Sequence, residues 1–298
     1  MRVGFVGLGN MGGPMAAKLT DAGVDVIGFD RDPATARRFA DRGGTTVGDL
    51  AAVGSGADVV IAMLPDGHAV REVAAGPDGL RDVLAPGSIL LDMSSSDPVG
   101  TRTLGDELSA VDVTLVDAPV SGGVAAAERG TLTVMAGGDS AGVARVRPLL
   151  EVLGGNIVLT GPLGSGHATK ALNNLLSAAG LMVAAEVLLV GQRFGLDPGV
   201  MLDALNSSSG RNNSTENKIG QFVLSRSFDS GFGIGLMVKD LRTALDLADS
   251  TDTPTPLGRR CLELWDEAGA ELGGEADHTA VVRWAEQRSG AELRSPRG

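Results

Sequence analysis

Tyrosine is absent from this 298-residue chain, cysteine occurs once, at Cys261, and histidine three times, at His68, His167 and His278. Each shortage removes a class of chemistry. Without tyrosine no phenolic general acid can act, which excludes the short-chain dehydrogenase mechanism. One cysteine forms no intrachain disulfide and no thiolate metal cluster. Three scattered histidines do not build a zinc site of the alcohol dehydrogenase type, so no metal is expected. Lysine is scarce as well: only Lys18, Lys170, Lys218 and Lys239 stand among the 25 basic residues. Where arginine is so strongly preferred, a retained lysine points to work a guanidinium cannot do, such as losing a proton near neutral pH.

The net charge is −12. Phosphate backbones and anionic membranes demand clustered cations, so neither nucleic acid nor a membrane surface is expected as a partner. A strand pattern begins at Arg2, which leaves no room for a signal peptide. The most apolar stretch, 171–189, is interrupted by Asn173, Asn174 and Glu186, and reads as a buried helix rather than a membrane span. A soluble, cytoplasmic protein is expected.

Apolar residues make up 43% of the chain, enough for a sizeable core. Short runs rich in Val, Ile and Leu at 3–6, 24–29, 59–64, 89–92, 113–116, 131–136 and 157–160 alternate with helical stretches. Near-continuous apolar runs mark strands covered on both faces, and the alternation predicts a doubly wound, mainly parallel α/β sheet of Rossmann type. The pattern changes at the glycine-rich joint 162–166. A helix over 167–194 would be about 40 Å long. Beyond it only helices are expected, at about 198–206, 216–224, 234–248, 255–268 and 279–287. The chain therefore divides into a dinucleotide-binding domain, 1–162, and an all-helical substrate and oligomerisation domain, 163–298.

Gly7-Leu8-Gly9-Asn10-Met11-Gly12 fits G-x-G-x-x-G, follows the first strand and opens a helix. Asp30 ends the second strand 18 residues beyond Gly12, at the spacing of an acid that holds ribose hydroxyls. The first glycine permits the tight turn, the second lets a pyrophosphate approach the backbone, and the third packs helix on strand. Asp30 repels a 2′-phosphate and favours NAD, whereas the neighbouring Arg31 would attract one, which keeps NADP as the alternative. Met63-Leu64-Pro65 and Ser94-Ser95-Ser96 follow the third and fourth strands, where ligands of open α/β sheets sit, and extend the cofactor site. The serines read equally well as a cap for the helix opening at Asp97-Pro98.

Asp117-Ala118-Pro119-Val120-Ser121-Gly122-Gly123 follows another strand. Ser121, Gly122 and Gly123 can offer a hydroxyl and bare N–H groups to a carboxylate. On the long helix, Lys170, Asn173 and Asn174 lie three and four residues apart and share a face. A buried lysine among amides has a lowered pKa and can exchange a proton near pH 7.

With these motifs the chain resembles the β-hydroxyacid dehydrogenases, typified by 3-hydroxyisobutyrate dehydrogenase. The resemblance spans nearly the whole sequence and adds Lys239-Asp240-Leu241 as a fourth motif. It implies Lys170 as the acid–base residue and Asn174, Ser121, Gly122 and Gly123 as substrate-holding groups. It places Lys239 near cofactor and substrate, Phe232 near the nicotinamide, and implies a homodimer or homotetramer. Its substrates are small hydroxy acids and their semialdehydes. The polar segment 206–218 reads either as a solvated loop with a helix cap or as a pocket wall in which Arg211 or Asn212 selects the substituent. It does not spell the version associated with 3-hydroxyisobutyrate dehydrogenase, so glyoxylate/succinic semialdehyde-type reduction is an alternative. Imine reductases usually carry Asp or Tyr where Lys170 stands. Decarboxylating 6-phosphogluconate dehydrogenases are longer and carry His where Asn173 stands. A catalytically inactive dinucleotide-binding scaffold is the reading of another class. His167 would line the entrance or help begin the long helix.

Overall fold

Every one of the seven apolar runs is a strand in the computed structural model, which describes residues 1–294. They are β1 (Arg2–Val6), β2 (Asp25–Phe29), β4 (Val59–Ala62), β5 (Ile89–Asp92), β6 (Thr114–Asp117), β8 (Leu132–Gly137) and β9 (Gly154–Gly161). Two strands of two residues each, β3 (Thr45–Thr46) and β7 (Val120–Ser121), complete the sheet and are too short to leave a periodic signal. Their order is β3-β2-β1-β4-β5-β6-β8-β7, with β9 beside β8. The sheet is parallel from β3 to β6, and β8 runs antiparallel to β6 and β7. Central β4 and β5 are buried along their whole length, as strands covered on both faces must be.

Seven helices connect these strands: α1 (Gly12–Asp21), α2 (Pro33–Ala40), α3 (Leu50–Gly54), α4 (Gly67–Ala75), α5 (Pro98–Ser109), α6 (Gly123–Arg129) and α7 (Ser140–Leu153). Two apolar layers form, one around Phe5, Met15, Leu19 and Ile61, the other around Val60, Leu80, Leu90 and Leu108. β1 lies between β2 and β4, so the chain reverses its winding direction there. Beyond the carboxyl ends of strands at such a reversal, open α/β sheets bind their ligands.

The chain divides into two compact units, Met1–Lys170 and the part from Ala171 onward. The division falls inside α8 (Ser165–Phe194), eight residues past the strand-to-helix joint at which the sequence was divided. The second unit comprises the rest of α8 with α9 (Pro198–Asn206), α10 (Ile234–Ser250), α11 (Pro256–Leu272) and α12 (Val281–Ser289). Thr215–Leu224, expected as an α-helix, is a π-helix, and the last expected helix is a 3₁₀ turn, His278–Ala280, running into α12. Both tryptophans are buried in this unit, Trp265 and Trp284, with Arg288 stacked 3.9 Å above Trp284.

α8 is long and apolar enough to cross a membrane by length and composition, but half of its most apolar window is buried within the chain. Its exposed side carries Asn173, Glu186 and Arg193 beside Leu176, Val183, Val190 and Phe194.

Candidate functional site

The glycine turn separates what the fold needs from what it leaves open. Gly7 has φ +94°, and a Cβ there would run into the Met63 carbonyl oxygen and touch Leu64; a Cβ on Gly12 would collide with the Gly7 carbonyl oxygen. Packing alone therefore demands these two glycines. Gly9 is exposed, and a Cβ there would meet nothing within 4 Å. The protein has no use of its own for that bareness, which leaves it for something that must lie against the backbone. Leu8 is buried beneath the turn, while Gly9 and Asn10 face outward.

Helix capping points the same way. Five helices of this unit begin with an aspartate whose side chain accepts backbone N–H groups: Asp32, Asp49, Asp66, Asp97 and Asp139. α1 begins at Met11 with no side-chain cap. A carboxylate there would repel a pyrophosphate, whereas uncapped N–H groups and the positive helix end attract one. α6 also lacks such a cap; it begins at Gly122, with φ +135°, followed by Gly123 at +71°.

Asp30 fastens the turn. One carboxylate oxygen accepts from the Leu8 N–H and the other from the Asp32 N–H, both at 2.8 Å. Each oxygen retains acceptor capacity for a ribose hydroxyl. Arg31 beside it is exposed. A cleft of about 450 Å³ opens beside the turn, lined by Leu8, Gly9, Asn10, Pro14, Arg38 and Arg42. On the far side, the Leu64 N–H donates to Ser94 Oγ at 2.9 Å, joining Met63-Leu64-Pro65 to the serine segment. Ser94 and Ser96 turn inward, Ser96 Oγ donating to Asp92 at 2.7 Å, with Ser95 between them. The cap of α5 is Asp97, which accepts from the Gly100 N–H; the serines do not serve as that cap. These residues fit a dinucleotide. Gly9→Ala should leave the melting temperature unchanged and weaken NAD(P) binding roughly tenfold or more, about 1.4 kcal/mol. Titration calorimetry of the variant decides it, and wild-type affinity would remove the purpose assigned to Gly9.

His167 does not line an entrance. Its side chain is 0% exposed, with Nδ1 2.8 Å from Thr101 Oγ1. Lys170 stands three residues further along α8 and is partly buried, and Ser121 is partly buried at the end of β7.

In the helical unit a polar chain leads from the exposed face of α8 to the buried stripe of α10. Asn174 donates through Nδ2 to Asp240 Oδ2 at 2.5 Å, Lys239 Nζ lies 2.8 Å from Asp240 Oδ1, and Asn173 Nδ2 donates to Asn174 Oδ1 at 3.1 Å. Asp240 stands in the Lys239-Asp240-Leu241 motif, but the sequence assigns it no role of its own. It falls on the buried stripe of α10 made by Met237, Val238, Leu241 and Ala244. An aspartate on such a stripe is a signal in itself, because carboxylates are buried only with partners.

Arg211 and Asn212 do not join this chain. Arg211 is exposed and pairs with Glu216 at 3.6 Å, while Asn212 Oδ1 accepts from the Ser214 and Thr215 N–H groups at the start of the π-helix. From that helix Lys218 donates to Ser177 at 2.8 Å. Phe232 meets His278 edge to face at 5.7 Å, and its carbonyl accepts the His278 N–H. Burial, and after it the Lys218 ammonium, push the His278 imidazole down to about 4, so the ring supporting Phe232 is neutral at pH 7.

Residues 2–161 match the NAD-binding domain of 6-phosphogluconate dehydrogenase, and residues 164–285 match the NAD-binding domain of NADP-dependent 3-hydroxyisobutyrate dehydrogenase. The chain is 35% identical over 294 residues to 2-(hydroxymethyl)glutarate dehydrogenase of Eubacterium barkeri, covering 98% of this chain and 97% of that one. It is 39% identical over 281 residues to 3-hydroxyisobutyrate dehydrogenase of Pseudomonas aeruginosa, covering 91% and 94%. The structure of Mycobacterium tuberculosis 3-hydroxyisobutyrate dehydrogenase with L-serine superposes with a TM-score of 0.89 at 31% identity, over 96% of this chain and 99% of that one. The chain belongs to the β-hydroxyacid dehydrogenase family and is an NAD(P)-dependent oxidoreductase of hydroxy acids.

Proposed function

We propose that the chain interconverts a 3-hydroxy acid of the form HO–CH₂–CHR–COO⁻ and its semialdehyde, with Lys170 as the acid–base residue. The observation that carries this reading is the order of groups on α8: Lys170, then Asn174 one turn later, its amide fixed by the buried Asp240. The compounds for which the relatives are named, or with which they are seen, support the substrate class. 3-Hydroxyisobutyrate, 2-(hydroxymethyl)glutarate and L-serine share the hydroxymethyl group and the carboxylate, and differ in R.

A dinucleotide held at the glycine turn and Asp30 would supply the hydride acceptor for the carbinol carbon. Neutral Lys170 removes the hydroxyl proton; in the reverse direction its ammonium returns the proton to the carbonyl oxygen. Ser121, the Gly122 and Gly123 N–H groups and Asn174 hold the carboxylate, which orients the reacting carbon. Asn173 steadies Asn174, and Lys239 adds positive charge for the substrate. Ser95 would help hold the cofactor, and Phe232 would serve its nicotinamide end. Asn212 serves the turn it caps, and the exposed Arg211 pairs with Glu216. Asp30 favours NAD over NADP.

The test is turnover with NAD and NADP against 3-hydroxyisobutyrate, 2-(hydroxymethyl)glutarate, serine, glycerate, 3-hydroxypropionate and 4-hydroxybutyrate, with Lys170→Ala alongside. Oxidation confined to acids with the hydroxyl on the β-carbon, and faster with NAD, is expected. Turnover of 4-hydroxybutyrate alone would replace this reading with a succinic semialdehyde-type reductase. Dinucleotide binding with no turnover of any of them would leave a scaffold.

We also propose self-association through α8. Leu176, Val183 and Val190 are 76%, 56% and 70% exposed and recur every seven residues, the spacing of a seam between two helices. A second copy of the chain would cover them. Sedimentation velocity should show a dimer or tetramer for the wild type and a monomer for Val183→Lys/Val190→Lys. A monomeric wild type would end the proposal.

A further inference from the structure

Beneath the expected reaction site lies a cluster for which the proposed mechanism has no use. Asp92 and Asp117 end β5 and β6 side by side, paired in register, and both are buried, at 2% and 0% exposure. Asp117 accepts from two backbone N–H groups at the start of α8, Gly164 through Oδ1 and His167 through Oδ2, both at 2.8 Å. The His167 ring then fills the space between the two strand ends and α5. Its Nδ1 lies 2.8 Å from Thr101 Oγ1 and 3.8 Å from Asp117, and its Nε2 lies 3.6 Å from Asp92. The same turn is pinned at two further places: Thr160 Oγ1 lies 2.7 Å from Ser165 Oγ, and Arg102 donates to the Leu163 carbonyl at 3.0 Å. Contact with the sheet is so close that a Cβ at Gly166 would run into the Met135 carbonyl oxygen.

We propose that Asp117 is a positioning residue for Lys170, and that His167, bonded to Thr101, holds the same helix turn from its other side. Asp117 touches no reacting atom, because its side chain is wholly enclosed. Three chain segments are nevertheless fixed by this cluster. Asp92 precedes Ser94-Ser95-Ser96 and accepts from the Ser94 N–H and the Ser96 hydroxyl. Asp117 stands four residues before Ser121. His167 stands three residues before Lys170, about 4.5 Å along the helix axis. Cofactor-side serines, substrate loop and acid–base residue are thus referred to one buried anchor. An aspartate whose only task was to cap a helix would need one strand end; this one sits where a second carboxylate and an imidazole close the far side as well. Displacement of a reacting group by about 1 Å can cost about 100-fold in rate.

The inference rests on Lys170 being the acid–base residue, and its test keeps the two apart. Asp117→Asn, Asp117→Ala and Thr101→Val are measured beside Lys170→Ala, each per folded, dinucleotide-binding site. Asp117→Asn retains one acceptor oxygen and should lower kcat about tenfold, Asp117→Ala about 100-fold, while KM and dinucleotide affinity change less than about threefold. Should the Asp117 variants fail to fold, Thr101→Val, which keeps shape and removes the hydroxyl that meets His167 and the Asp97 carbonyl, carries the test with a kcat loss of about threefold or more at unchanged KM. Wild-type kcat in the folded variants, or equal losses in kcat and in folded fraction, overturns the positioning role. If Lys170→Ala itself keeps wild-type turnover, it is the acid–base reading that falls.

Discussion

Lys170→Ala should lose about 10²- to 10⁴-fold in kcat, the range over which a positioned acid–base group contributes, and still bind the dinucleotide with wild-type affinity. The two halves of that result come from different places in the chain. The glycine turn and Asp30 belong to the sheet's carboxyl edge and are built without Lys170. Lys170→Arg should be nearly as impaired as Lys170→Ala, because a guanidinium keeps its proton at any working pH and cannot serve as the base. Small primary amines added to Lys170→Ala should restore part of the rate. Turnover within about tenfold of wild type in Lys170→Ala, with no amine rescue, would show that the proton goes elsewhere.

Asp240→Ala should be the most damaging substitution in the helical unit. Asp240 receives the Asn174 amide on one oxygen and lies against the Lys239 ammonium with the other, inside the apolar stripe of α10. Truncation deprives a buried amide and the ammonium of a half-buried lysine of their shared acceptor at once. Losses of this kind cost about 2–4 kcal/mol, or roughly 10 °C in the melting temperature of a unit this size. The remaining folded enzyme should show a raised KM for the hydroxy acid, because Asn174 is then free to turn its amide. Asp240→Asn, which preserves volume, should recover stability more than it recovers KM. Unchanged KM in folded Asp240→Ala would detach this carboxylate from the substrate site.

Much of the cofactor side was legible because it depends on local chemistry. Strands buried on both faces announce themselves as runs of Val, Ile and Leu, and a glycine turn between such a run and a helix has few other uses. The identity of Asp30 followed from spacing. Its bond to Leu8 did not, because it depends on how β1 and β2 lie side by side. The serines after β5 were open to a capping role that Asp97 holds, since neighbours with similar chemistry compete and backbone direction decides between them. The π-helix escaped notice because its apolar spacing over ten residues is close to that of an α-helix. Asp240 and Asp117 stood within motifs but without a role for a common reason: both are buried, and their purpose is visible only from the partners that the fold brings to them.

The tryptophans carry a practical consequence. With no tyrosine in the chain, and with Trp265 and Trp284 both in the helical unit, ultraviolet emission arises from that unit alone. The nucleotide-binding unit holds Phe5, Phe29 and Phe39 and nothing brighter. A melting curve followed by intrinsic fluorescence therefore records the loosening of one half of the molecule and is blind to the other. Unless the two halves unfold in a single cooperative step, its midpoint describes the helical half only. Paired with circular dichroism, which sees both, the same blindness becomes useful: wherever the two curves separate, the gap identifies which half has given way first.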